Sequence, residues 1–150
     1  MPTHYQGKPH FVRALDAYIK LTRAASSLET RLMRQGSFGD LTPSQFGVME
    51  TLYHLGPLTQ GEISNKLLKS NANITLVLDN LEKRGLVQRK RNPQDRRCSV
   101  ISLTPAGEAQ IARLFPTHAA AITAQLAVMT PEEQETLGRL CRKLGRQETA

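Results

Sequence analysis

The stretch from residue 59 to residue 104 constrains the fold of this chain more than any other. It opens with the helical segment TQGEISNKL, in which Thr59 can cap the helix and Glu62 stands at the reciprocal position of a capping box. After a short turn, the segment NANITLVLDNLEKR carries apolar residues at helical spacing until Gly85 ends it. Two helices joined by a tight turn form the unit that can lay its second helix in the major groove of DNA.

Strand-like segments follow Gly85 directly. They are LVQRKR (86–91) and CSVISL (98–103), and the charged segment NPQDRR between them contains a proline that favours a turn. Leu58–Thr59 can add a very short third strand to this hairpin. A helix-turn-helix followed at once by a basic β-hairpin is a winged helix-turn-helix, so we predict a mainly α fold with a small β-wing.

Positive charge is concentrated in the same stretch. Residues 59–104 hold nine Lys and Arg residues and four acids, so they carry +5 of the net charge of +7. Basic charge gathered on one module is expected of a protein that binds the phosphate backbone of nucleic acids, and the sequence pI of about 9.9 fits such a partner. A solvated basic hairpin without a partner is the weaker interpretation, because this hairpin lies directly behind a helix-turn-helix pattern.

Helical patterns flank the winged segment on both sides. Residues 10–35 carry apolar residues at helical spacing, and a second helix begins at TPSQ (42–45) with a cap, a proline and a capping-box glutamine. Thr104–Pro105 begins a helix toward Met129, and Pro116 inside it predicts a kink or two consecutive helices. TPEE then opens the last helix with a third capping box. Its apolar stripe consists of Leu137, Leu140 and Leu144.

Length and composition set the remaining bounds. The 150 residues suffice for one domain, and no stretch approaches the roughly 20 apolar residues of a membrane span. The first residues contain no apolar core of the signal-peptide type, so we expect a cytoplasmic protein without a membrane partner. The four histidines lack metal-ligand spacing, and the sequence has no phosphate-loop or hydrolase motif, which argues against a metal, a cofactor and an enzyme.

Motifs in these segments are similar to those of the MarR family of bacterial transcription regulators, and the resemblance extends over residues 10–146. The most specific of them are LEKRGLV (81–87), the D-x-R pattern of the wing and the L-T-x-x-G pattern that closes it. The last two fall on Asp95 and Arg97, and on Leu103, Thr104 and Gly107. The chain departs from the family at Asn80, where an arginine is common.

The resemblance implies a single domain over residues 1–150 with two regions. Residues 42–104 would form the winged helix-turn-helix lobe, and the N- and C-terminal helices (10–35 and 105–146) would form a helical dimerisation region. Such a homodimer would bind a palindromic operator in double-stranded DNA and repress transcription. A small effector, of phenolic or aromatic-acid type, would release it, and Thr75 and Arg89 match family positions that meet salicylate.

The second helix of the unit begins with polar side chains suited to DNA. We predict contacts from Asn71, Asn73 and Thr75, because asparagine can bind adenine in two-pronged fashion and threonine can reach bases or phosphates. Ser70 is assigned to capping, since serine is a preferred cap. Leu76 can face either the groove or the neighbouring helix.

Basic residues complete the predicted DNA contacts. In the wing, Asp95 is expected to pair with Arg97 and hold the turn rigid. Arg97 or its neighbour Arg96 would then reach the minor groove, whose negative potential attracts arginine. Phosphate contacts, which position the protein without specifying sequence, are expected from Lys69, Arg89, Lys90 and Arg91.

Two alternative functions stay open. The same lobe could serve a thiol-based redox switch through Cys98 or Cys141, although single cysteines are more often packed small apolar residues. A winged helix can also serve in protein assembly or in nonspecific nucleic-acid binding.

Overall fold

The computed structural model describes residues 2–92 and 95–147, without the side chains of residues 92 and 95–97. Six helices and three strands make up this described part of the chain. In order, they are α1 (Pro9–Arg34), α2 (Pro43–Leu55), β1 (Leu58–Thr59), α3 (Gln60–Leu67), α4 (Asn71–Lys83), β2 (Val87–Asn92), β3 (Asp95–Leu103), α5 (Pro105–Leu126) and α6 (Pro131–Gly145). The architecture is mainly α with a small β-sheet, as predicted.

Side-chain caps determine where several helices begin. The hydroxyl groups of Thr42, Thr59 and Thr130 each accept a hydrogen bond from the backbone N–H three residues later, and the Gln or Glu there accepts one in return. These are the three predicted capping boxes, and they fix the starts of α2, α3 and α6. The sequence could show them because a capping box depends only on two residues three positions apart.

The three strands form one antiparallel sheet in the order β1-β3-β2. Leu58 lies opposite Ile101, which confirms the very short third strand, and Val87 lies opposite Leu103. β3 begins at Asp95, three residues before the predicted start at Cys98. The predicted start was late because the strand ladder continues past a register shift and takes in part of the segment assigned to the turn.

The helix-turn-helix and the sheet close around one apolar core. Ile63 of α3, Ile74 of α4 and Ile101 of β3 are all 0% exposed, and Ile111 brings α5 onto the same core. Burial of this kind stabilises by about 1.5–3 kcal/mol for each large aliphatic side chain. The lobe is therefore a winged helix in which α4 has a fixed inward face.

The junction between the sheet and α5 is unusually tight. The Thr104 hydroxyl donates a hydrogen bond to the carbonyl of Gly85 at 2.6 Å, and the Thr104 N–H donates one to the carbonyl of Leu86 at 3.1 Å. Gly107 then lies so close to β2 that a Cβ atom there would be 2.0 Å from the Leu86 carbonyl oxygen. The L-T-x-x-G pattern therefore has a structural reason, since only glycine fits at its last position.

α5 runs from Pro105 to Leu126 with Pro116 inside it. The predicted alternative of two consecutive helices is wrong, because the missing N–H of a proline removes one hydrogen bond of many and the helix continues past it. The kink stays a prediction.

A buried polar contact joins α5 to the connection between α1 and α2. His118 Nδ1 lies 2.6 Å from the Ser37 hydroxyl oxygen, and the imidazole packs against the rings of Phe38 and Phe46. Burial lowers the pKa of His118, while the Glu50 carboxylate and a hydrogen bond with the Ser37 backbone oppose that shift. Burial thus favours the neutral ring, which packs α5 against α2 and the connection that precedes it.

The first and last helices leave apolar surface uncovered. Every residue of α6 is described and none is buried, and within α1 only Leu32 is buried. The exposed side chains of α6 include the predicted stripe of Leu137, Leu140 and Leu144. Those of α1 include Phe11, Leu15 and Tyr18. In the described part of the chain, no helix has both the length and the apolar character needed to cross a membrane.

Candidate nucleic-acid interface

α4 is seated in the lobe by one apolar face and by its cap. Ile74, Leu78 and Leu81 are 0% exposed and anchor this face in the core. Ser70 caps the helix, because its hydroxyl accepts a hydrogen bond from the Asn73 N–H at 3.2 Å. The assignment of Ser70 to capping is confirmed, and the opposite face of α4 is left to solvent.

Two of the polar residues predicted for DNA contact also tie α4 to α3. The Ser64 hydroxyl donates a hydrogen bond to Asn71 Oδ1 at 2.8 Å. The Gln60 amide donates one to the Thr75 hydroxyl at 2.6 Å, and that hydroxyl donates one to the Asn71 carbonyl at 2.8 Å. Asn71 and Thr75 therefore fix the angle between the two helices. Their partners on α3 could not be predicted from spacing, because the contact depends on how the helices cross.

Other residues of the turn and of α4 face solvent. Lys69 and Asn73 are exposed, in keeping with their predicted contacts. Leu76, whose direction the sequence left open, is 70% exposed and so faces away from the neighbouring helix. These side chains make up the surface that the turn and the first half of α4 present.

Arg89 is held by acids of α4. Its guanidinium lies 2.7 Å from Asp79 Oδ1 and 3.4 Å from Glu82 Oε1, and its side chain is only 16% exposed. The ion pairs connect β2 of the wing to α4, and sequence analysis missed both acids as partners. Their spacing of three residues on one helical face is the signal that could have suggested a shared cation.

The neighbouring basic residues of the wing differ from Arg89. Lys90 and Arg91 are both exposed on β2, where they are accessible to a phosphate backbone. Residues 95–97 belong to β3 by their backbone. The predicted pairing of Asp95 with Arg97, and the predicted contacts of Arg96 and Arg97, lie outside the described side chains.

The residues proposed for an effector lie on two elements, Thr75 on α4 and Arg89 on β2. Thr75 is one turn before Asp79, and Asp79 holds Arg89. A carboxylate bound to Arg89 must therefore compete with Asp79 and Glu82. Within the described residues, no three His, Cys, Asp or Glu side chains are grouped as a metal site requires.

Both cysteines are exposed. Cys98 lies on β3 and Cys141 lies on α6. The expectation that they are packed apolar residues is wrong for the single chain. Cys98 lies where β3 is open to solvent, and α6 buries none of its residues.

A helix-turn-helix with a solvent-facing second helix, beside a basic antiparallel hairpin, defines a winged helix-turn-helix DNA-binding protein. Residues 41–99 match the sequence model of the MarR family. The chain is 32% identical over 133 residues to the HTH-type transcriptional regulator YkoM of Bacillus subtilis, with 89% of this chain and 86% of YkoM covered. It is 33% identical to the HTH-type transcriptional regulator MhqR of the same organism, with 89% and 92% covered. The chain belongs to the MarR family of DNA-binding transcriptional regulators.

A solved structure agrees with this assignment. The PcaV transcriptional regulator of Streptomyces coelicolor, in complex with its natural ligand, superposes with a TM-score of 0.74 and is 27% identical. The match covers 83% of this chain and 88% of PcaV. The family regulates transcription and performs no catalysis, so the prediction that the chain is not an enzyme is confirmed.

Proposed function

We propose that the protein is a cytoplasmic repressor that binds a palindromic operator as a homodimer and is released by a small aromatic acid. The observation that carries this proposal is the division of exposed surface between the two regions. In the lobe over residues 42–104, the outward surfaces of α4 and β2 are mostly polar and basic, with Leu76 as the exposed large apolar residue of α4. In the regions over residues 10–35 and 105–146, α1 and α6 each expose several large apolar residues.

The apolar surface supports the homodimer. α6 has a stripe of leucines and no buried residue, and a helix of 15 residues has little stability without packing. A second copy of the chain can cover this stripe and the exposed face of α1. Two lobes related by a two-fold axis then require two half-sites about one helical turn apart, which is the reason for a palindromic operator.

The proposed DNA contacts fall into three groups. Lys69, Lys90 and Arg91 would meet phosphates, and Asn73 would meet a base edge. Arg96 or Arg97 would enter the minor groove from the wing, with Asp95 restraining the turn. The third group consists of Asn71, Thr75 and Arg89. These residues would lie at the interface and would also fix the orientation of α4 and the wing.

The ion pairs of Arg89 suggest how an effector would act. A ligand carboxylate can bind a guanidinium through two parallel hydrogen bonds, and at Arg89 it would take the place of Asp79. The wing and α4 would then lose a connection that fixes their relative position. A MarR-fold relative that holds its natural ligand, PcaV, supports a small-molecule effector.

The proposal is tested by selection and by sedimentation. A library of duplexes with 30 random base pairs is enriched on the purified protein, and the mass of the free protein is measured at micromolar concentration. We expect an inverted repeat with half-site centres about 10 base pairs apart, and a dimer. A monomer, or enrichment of no sequence over random DNA, would instead indicate a protein for assembly or for nonspecific binding.

The effector is tested on the selected duplex with salicylate as the probe. Salicylate should raise the melting temperature of the protein and weaken duplex binding, and benzyl alcohol, which lacks the carboxylate, should do neither. Release by hydrogen peroxide, abolished by replacing Cys98 or Cys141 with serine, would support the redox alternative instead.

A further inference from the structure

α4 carries one long apolar side chain that points away from the lobe. Leu76 is 70% exposed, whereas Ile74, Leu78 and Leu81 are 0% exposed. Because successive residues of a helix are about 100° apart, Leu76 lies almost opposite the stripe that these three residues form. It is therefore near the middle of the outward face of the helix.

The residues around Leu76 leave it prominent on that face. Ala72, Asn73 and Asn80 are also exposed there, and Ala72 is too short to cover a neighbour. Two polar residues at the edge of this face are engaged elsewhere, since Thr75 bonds Gln60 and Asp79 pairs with Arg89. Leu76 is thus the large apolar group that the first half of α4 offers to a partner.

The partner of this face is the major groove of DNA, because recognition helices present their N-terminal half to the base edges. Single exposed leucines are ordinary elsewhere on a protein surface and need no partner. In the major groove, the apolar group among the base edges is the C5-methyl of thymine, and apolar side chains pack on it. We propose that Leu76 specifies a thymine in each operator half-site by packing against its C5-methyl group.

This inference rests on the proposed binding of an operator by α4, and it adds the identity of one base. The test replaces thymines of the selected duplex by deoxyuridine, one symmetric pair at a time. Deoxyuridine pairs as thymine does but lacks the methyl group. At one thymine per half-site, the wild-type protein should bind about fourfold more weakly for each methyl removed, which corresponds to about 0.8 kcal/mol for one buried carbon group.

The Leu76→Ala variant completes the cycle. It should bind the thymine duplex more weakly than the wild type does. Replacing that thymine by deoxyuridine should not weaken the binding of the variant any further. Its fold should be unchanged, since Leu76 is exposed and alanine favours a helix. The matched control is Leu55→Ala, an exposed leucine at the end of α2, which should keep the full sensitivity to the methyl group.

Two results would overturn the inference. The wild type could show no methyl sensitivity at any thymine of the half-sites, or Leu76→Ala could keep that sensitivity. In the second case, a change in the sedimentation of Leu76→Ala would assign Leu76 to a protein contact. If no duplex is enriched at all, the proposed operator binding fails and the inference fails with it. If a duplex is enriched but shows one of the results above, only the inference fails.

Discussion

Arg89 is the residue whose environment bears most directly on DNA binding. Its charge is offset by Asp79 at 2.7 Å and Glu82 at 3.4 Å, and both acids lie on α4. A cation that is already paired with acids displaces few counterions from DNA on binding. An exposed lysine that contacts a phosphate displaces about one. Arg89 and Lys90 are adjacent in sequence but should therefore differ in their contribution to the salt dependence of binding.

We expect Lys90→Ala to reduce the slope of log affinity against log salt concentration by about one. Arg89→Ala should change that slope by less, and it should lower the free energy of unfolding by at most about 1 kcal/mol, the upper range for partly exposed ion pairs. The measurement is duplex binding over a series of salt concentrations, with denaturant unfolding of both variants. Equal slope changes in the two variants would show that Arg89 leaves its acids and meets a phosphate directly.

At the scale of elements, the contact between α5 and the wing is the least tolerant of change. A Cβ atom on Gly107 would lie 2.0 Å from the Leu86 carbonyl oxygen, which is backbone and cannot rotate away. Gly107→Ala should therefore destabilise the lobe by about 1–3 kcal/mol or more, as overpacking does.

The control for this prediction is Gly61→Ala in α3. A Cβ atom there would meet no atom within 4 Å, so the variant should be neutral or more stable by about 0.4–1 kcal/mol. Thermal and denaturant unfolding of both variants provide the comparison. Normal stability of Gly107→Ala would mean that α5 can shift away from β2 at little cost.

The elements themselves were largely predictable because their signals are local. Thr42, Thr59 and Thr130 mark helix starts by residues at fixed short spacing, and the capping boxes follow. The alternative of two consecutive helices at Pro116 is wrong, because a local rule does not take into account the hydrogen bonds that continue α5 past the proline.

The contacts of the interface were harder to predict than the elements. The pairing of Arg89 with Asp79 joins a strand to a helix, and the bond from Gln60 to Thr75 joins two helices. Both depend on how the elements pack, which residue spacing does not show. The outward direction of Leu76 was open for the same reason, since the position of the helix in the lobe decides it.

At the scale of the whole molecule, the uncovered stripe of α6 predicts how the subunits associate. Leu137 and Leu140 are 39% and 49% exposed in the single subunit, so charging them should cost the subunit little. The double variant Leu137→Glu with Leu140→Glu should sediment as a monomer near 16.7 kDa. Its operator affinity should fall, because two unlinked lobes lose the effective concentration that a dimer provides.

Val128→Glu is the matched control for the stripe. Val128 is 89% exposed in the connection between α5 and α6 and lies outside both helices. This variant should stay dimeric and bind the operator normally. If the α6 variant also stays dimeric, the subunits associate through another surface.

The order of the strands has a consequence for how the protein is made. β1 lies next to β3, and Leu58 pairs with Ile101, so the sheet joins the two ends of a long chain segment. A growing chain can form local helices early, but such a distant pairing must wait for the later strand and for the closure of the loop between them. During synthesis, α3 and α4 would therefore emerge before the strand that completes their support. A nascent regulator would acquire its DNA-reading surface only after the wing has left the ribosome.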